Sequence, residues 1–190
     1  MKNMTEEHLD IVDENNNLTG EKKPRSLVHA TGLWHRIVNI YFFRRIDNNI
    51  DFLVHLRAKT KDLYPNCWDT RFGGHVKSGR DIEYTALNEI KDEVGLEVSF
   101  DNLIKGSWRK NDEYPNNEFN QVYYFEFKGV LKDLKFDDGE VQKVKWLSID
   151  EIEKSMNKEP NIWAEKAKDF RQATDFLEAQ LKGNYEKSPL

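Results

Sequence analysis

The chain is 190 residues long, which suits one domain with added elements better than two small ones. Twenty-nine Lys and Arg against thirty-four Asp and Glu give a net charge of −5, which excludes the basic excess of a protein that lives on nucleic-acid phosphates. Eleven Phe, seven Tyr and five Trp can build a core, no apolar run approaches the roughly 20 residues of a membrane span, and Met1 to Asp10 holds no apolar signal core. The expectation is a folded, soluble, cytoplasmic protein without nucleic-acid or membrane partners. Cys67 is the one cysteine, so neither an internal disulfide nor a cysteine-based zinc cluster is available within the chain.

Residues 1 to 6 read as a frayed terminus. Glu7 to Asp13 alternates and runs into Asn15-Asn16-Asn17 and Gly20, which predicts a hairpin-like flap, and Pro24-Arg25-Ser26 opens a short helix to about Thr31 before Gly32. Arg36 to Arg45 is β-rich, and Asp47-Asn48-Asn49 turns it back into Asp51 to Arg57. A polar loop over residues 59–66 leads to Trp68 to Phe72, then Gly73-Gly74 and Ser78-Gly79. Asp81 is a fitting N-cap, Ile82, Ala86, Ile90 and Val94 recur at fourfold spacing, and Gly95 follows, so a helix is expected over about 81–94. Strands near 103–110, 119–127 and 141–147, with a turn at Asp137-Asp138-Gly139, precede a helix from Ile149 to about Met156 that Ser148 caps. A last helix is expected over 161–182, with Trp163, Ala167, Phe170, Ala173, Leu177 and Leu181 in one apolar stripe that either covers the sheet or pairs with a second copy in a homodimer. No internal repeat or low-complexity linker splits the chain, so residues 1–190 read as one domain: a flap and short helix to residue 30, a core over 34–156, and the C-terminal helix.

The chemistry concentrates in the helix at 81–94. Glu89, Asp92 and Glu93 stand at i, i+3 and i+4, so their carboxylates share one face and repel. An acidic helix face is ordinarily just solvated. Here Gly73-Gly74 and Ser78-Gly79 let the backbone pass close by, and a free carbonyl would complete an oxygen shell suited to magnesium, manganese or calcium.

The run Gly74-His75-Val76-Lys77-Ser78-Gly79-Arg80, seven residues, then Asn88-Glu89-Ile90-Lys91-Asp92-Glu93-Val94-Gly95-Leu96 resembles the signature of the Nudix hydrolases over its complete spacing. Arg80 stands where that family has Glu, Asn88 where it has Arg, and Asp92 where it has the first of two adjacent Glu. The resemblance implies an α/β fold, an α/β/α sandwich around a mixed β-sheet. It also implies that Glu89, Asp92 and Glu93, with the Gly74 carbonyl, hold Mg2+ or Mn2+ ions that clamp a pyrophosphate, with Glu89 placed to orient or deprotonate the attacking water. Glu140 is the candidate for the later acid that often completes such sites, so Glu89, Glu93 and Glu140 form the expected catalytic set.

Within the family, the closest resemblance is to isopentenyl-diphosphate isomerase, through Leu9-Asp10-Ile11-Val12-Asp13, Arg25, Val28-His29, Leu33-Trp34-His35-Arg36 and Leu56-Arg57-Ala58 with Lys61. His29, His35 and His75 resemble that enzyme's metal-binding histidines, and Arg57 and Lys61 fall where it grips a diphosphate; His35, His75, Arg57 and Lys61 are the expected substrate-binding residues. Gly73 stands where the isomerase has its catalytic Cys, and glycine has no proton to give. The expectation is therefore a metal-dependent hydrolase of a nucleoside diphosphate-X or nucleotide, a small-molecule diphosphate. A Nudix-fold binding module without turnover is the alternative, and an isomerase comes third. Trp68, Trp108, Tyr114 and Tyr123 are aromatic enough to stack on a base but are of the kind that ordinarily packs a core.

Overall fold

The computed structural model describes residues 6–47, 49–137 and 139–185. Residues 1–5 of the expected frayed terminus, Asn48 of the first turn and Asp138 of the last lie outside them. The N-terminal flap is a hairpin of β1 (His8–Val12) and β2 (Leu18–Pro24), followed by α1 (Arg25–Thr31), which ends on Gly32 in the left-handed conformation. The main sheet contains β3 (His35–Ile46), β4 (Asn49–Arg57), β5 (Trp68–Asp69), β6 (Arg71–His75), β7 (Leu103–Glu113), β8 (Asn116–Glu126) and β9 (Val141–Ser148). Its order is β5-β4-β3-β8-β7, with β6 also on β3 and β9 on β4. The β3–β8 pair is parallel and the other pairs are antiparallel, so the sheet is mixed.

The alternation of side chains along each strand divides the core into two layers. Val38, Ile40 and Phe42 of β3 join Tyr123 and Phe125 of β8 beneath Ala86, Ile90 and Val94 of α2 (Ile82–Val94). Tyr41 and Phe43, with Val122 and Tyr124, face the other way, onto Ile152 and Met156 of α3 (Ile149–Lys158) and Phe170, Ala173 and Leu177 of α4 (Ala167–Tyr185). The fold is the expected α/β/α sandwich, and the apolar stripe of α4 is spent on its own sheet. No helix among the described residues is long and apolar enough to cross a membrane.

Local signals set the helix ends of α2 and α3. Asp81 accepts the Tyr84 N–H at 2.6 Å and Gly95 closes α2 at φ 71°, while Ser148 and Glu151 cap α3 reciprocally. The last helix departs from expectation, starting at Ala167 rather than 161. Pro160–Ile162 forms a 3-10 turn, Trp163 bridges to Trp68, and Ala164 donates its N–H to the Trp68 carbonyl at 2.8 Å. Trp163 thus enters the core as an extended residue. Strand β7 also runs three residues past the expected Lys110, because an edge strand tolerates Asn111-Asp112-Glu113 in its ladder.

Candidate active site

Two glycines bring β6 and α2 together. Gly73 has φ 144°, and a Cβ there would lie 2.0 Å from the Val38 carbonyl oxygen, so that backbone admits no side chain. Its N–H donates to Glu93 Oε2 at 2.8 Å. A Cβ on Gly74 would come within 2.7 Å of Glu89 Oε1, so only glycine lets the Glu89 carboxyl lie against this strand.

Burial pushes the Glu89 carboxyl up to about 7, and the nearby Asp92 and Glu140 charges push the same way against Lys77. Glu93 is raised well above the ordinary carboxylate range by burial and by Glu89 beside it. Two half-buried carboxyls that resist losing their protons are a site in want of positive charge, and an all-oxygen donor set suits a hard divalent cation. Asp92 is more exposed and accepts a hydrogen bond from Asn88 Nδ2 at 2.8 Å.

These groups line a cavity of about 580 Å3 whose wall includes Gly74, Glu89, Asp92, Glu93, Glu140, Arg57, Lys61 and His75. Glu140 pairs with Lys61 across it. Arg57 donates to Asp69 at 3.4 Å and to the Leu63 carbonyl at 3.0 Å, and its buried Nε has no hydrogen-bond partner. Of the expected site residues, His35 alone is absent from this wall: it is fully buried behind it, with Nδ1 bonded to the Leu33 carbonyl at 3.0 Å.

His35 belongs instead to a second cluster. Ligand atoms of His29, His35, His75 and Glu118 all lie within 4.8 Å of one another, and the His35 and His75 rings stack at 5.3 Å. Burial pushes His35 down to about 4 and His75 to about 2, so the rings are neutral and their nitrogens are able to ligate. His35 Nε2 is buried without a hydrogen-bond partner. This set would hold a metal ion, and its nitrogens suit a transition ion better than magnesium.

The departures at Arg80 and Asn88 have visible replacements. Arg80 stacks on Tyr84 at 4.6 Å, and the loop is braced from β1: Asp10 accepts from Ser78 Oγ at 2.6 Å and from the Gly79 N–H at 3.0 Å. Asp10→Ala is therefore expected to reduce stability by about 1–3 kcal/mol, read as a lower urea midpoint with an unchanged slope.

Glu118, Asn120 and Arg71 were not legible as site residues. Glu118 and Asn120 share a face of β8 with Val122 and Tyr124, and two polar residues in the inward register of an apolar strand were the one available signal. Trp68, Trp108, Tyr114 and Tyr123 line neither this cavity nor its neighbour; Tyr123 is in the core and Tyr114 is 72% exposed.

The chain is 30% identical over 167 residues to an uncharacterized Nudix hydrolase of Clostridium acetobutylicum, covering 85% of this chain and 80% of that protein. Nudix hydrolase 3 of Arabidopsis thaliana is 29% identical over 164 residues, 82% of this chain, which spans about a fifth (21%) of that protein's length. The isopentenyl-diphosphate Delta-isomerase of Aliivibrio fischeri is a more distant relative, 24% identical over 162 residues, covering 83% of this chain and 89% of that protein. The crystal structure of DR0079 from Deinococcus radiodurans superposes with a TM-score of 0.70 at 21% identity, covering 87% of this chain and 98% of that one. A model of the NUDIX domain matches residues 33–168, most of the sheet with the acidic helix inside it, and on these grounds the chain belongs to the Nudix hydrolase family.

Proposed function

We propose that this hydrolase cleaves the pyrophosphate bond of a nucleoside diphosphate-X or nucleotide, with Mg2+ or Mn2+ held by Glu89, Asp92, Glu93 and the Gly74 carbonyl. The observation that carries the reading is the pair of half-buried carboxyls of Glu89 and Glu93 set side by side against the Gly73-Gly74 strand. A divalent ion bound there neutralises phosphate oxygens and increases the acidity of water. Arg57 and Lys61, on the same wall, attract and orient the diphosphate. Glu89, titrating near the working pH, takes a proton from the attacking water. The water oxygen bonds to phosphorus, the bridging P–O bond breaks, and a phosphate or nucleoside monophosphate leaves. Glu140, balanced against Lys61, is the candidate second acid.

Isomerase chemistry is disfavoured by Gly73, where the Val38 carbonyl leaves no room for a side-chain acid. The test is a panel of nucleotides and nucleoside diphosphate-X compounds with each metal and with a chelator. Release of phosphate or nucleoside monophosphate that needs the metal supports the reading; no release of either from any compound with either metal overturns it.

A further inference from the structure

Two guanidiniums of the cavity wall are tied to one carboxylate behind it. Arg57, at the end of β4, and Arg71, at the start of β6, line both the first cavity and the one beside it. Asp69 of β5 accepts the Arg71 Nε–H on Oδ1 at 3.0 Å, and on Oδ2 it accepts from Nη2 of Arg71 and Nη1 of Arg57, each at 3.4 Å. The backbone fixes this meeting point. Asp69 stands opposite His55, two residues before Arg57 on β4, and its Oδ1 also accepts the Arg71 backbone N–H at 3.2 Å, an Asx turn that carries the chain from β5 into β6.

Asp69 is 3% exposed and does not line the first cavity, so any effect it has on a ligand there runs through the two arginines. Burial pushes its carboxyl up, but Arg71, His55 and Arg57 beside it outweigh burial and hold it below the ordinary carboxylate range. One carboxylate therefore faces two guanidiniums, and the trio is net positive. An arginine left free spreads over many rotamers, and a carboxylate behind it removes that freedom before a ligand arrives. The planar fork then meets a phosphate in one orientation.

We propose that Asp69 is a positioning residue of this site: it aims Arg57 and Arg71 at the diphosphate of the substrate and acts on binding through them. The proposal rests on the diphosphate reading of the first cavity. Its sign separates it from simple electrostatics. Removing a negative charge beside the site would, by charge alone, tighten the binding of an anion, whereas loss of aim weakens it. In Asp69→Asn the amide keeps one acceptor oxygen and turns N–H donors toward a guanidinium, so both forks cannot stay in place.

The test is calorimetry in Mg2+ with methylenediphosphonate, a diphosphate analogue that resists hydrolysis, on the wild type, Asp69→Asn, Arg57→Ala and the double variant, with circular dichroism to confirm folding. Asp69→Asn is expected to weaken binding about tenfold or more, and to weaken it less in the Arg57→Ala background. A smaller loss or tighter binding in folded Asp69→Asn overturns the proposal, as does an equal or larger loss without Arg57, or no binding by the wild type. If Asp69→Asn does not fold, the same substitution combined with Arg71→Gln, which removes the carboxylate together with one of the charges it balances, is compared with Arg71→Gln alone by the same criterion. With whichever panel compound is hydrolysed, Asp69→Asn should raise KM about tenfold and leave kcat within about threefold; a fall confined to kcat overturns the proposal. Should no panel compound be hydrolysed, the hydrolase reading is what has failed, and methylenediphosphonate binding still judges Asp69.

Discussion

Glu93→Gln is expected to lower kcat about a thousandfold or more, equivalent to about 4 kcal/mol of barrier, while leaving the metal-free protein at least as stable as the parent. The two halves have one cause. Burial and the neighbouring Glu89 already disfavour the charge on Glu93, so a neutral amide of the same shape removes a strained ionisation and keeps an oxygen for the Gly73 N–H. That same charge is what a cation at this site requires. Release of phosphate or nucleoside monophosphate, measured beside thermal unfolding in chelator, checks both. Activity within tenfold of the parent would remove Glu93 from the mechanism, and a large loss of stability would show that the amide cannot replace the carboxyl in the Gly73 contact.

The second large effect is on pH. Proton and cation compete for Glu89, whose carboxyl is pushed up to about 7, so apparent affinity for Mn2+ is expected to rise about tenfold per pH unit below 7 and to level off above it. Glu93, shifted in the same direction, steepens the rise. The sign for stability differs between groups. Glu89 keeps its proton in the folded state up to about 7 but loses it near 4.5 when unfolded, so its contribution falls as pH rises between those values. His35 and His55, both pushed down to about 4 by burial, act oppositely: their contribution is complete above 6.5 and is lost as pH falls toward 4. A melting curve in chelator mixes the two, whereas the rise in melting temperature on adding Mg2+, which the nitrogens of the histidine cluster suit poorly, isolates the acidic site. That rise should be larger at pH 8 than at pH 6, and an increment independent of pH would argue that Glu89 is not a ligand.

Much of this site was legible because its signals are local. The i, i+3, i+4 spacing of Glu89, Asp92 and Glu93, the cap at Asp81 and the stop at Gly95 all lie within fifteen residues, and α2 spans Ile82–Val94 against an expected 81–94. The close approach of Gly73-Gly74 to that helix was legible from the glycines themselves, but its reason, two Cβ positions already occupied by Val38 and Glu89, needed coordinates. Contacts between distant residues left no local signal. The meeting of His29 and His75 across 46 positions, at 3.0 Å, was reached only through the resemblance, and Arg71 gave no sign of lining two cavities. The start of α4 was misplaced because periodicity counted Trp163 into a helical stripe, whereas its backbone is committed to a bridge with Trp68.

The joint between α3 and α4 has a consequence for how this enzyme can diverge. Glu165 is buried in it, bonded to Tyr41 and Thr70, and with Ala164 and Lys166 it lines a second cavity of about 340 Å3 beside the first, while the acids of α2 lie more than seventy residues earlier in the chain. The acids proposed for the reaction and the wall of the neighbouring cavity are thus inherited on different stretches of polypeptide. Drift in a handful of joint residues can remould that cavity while the acidic helix stays as it is.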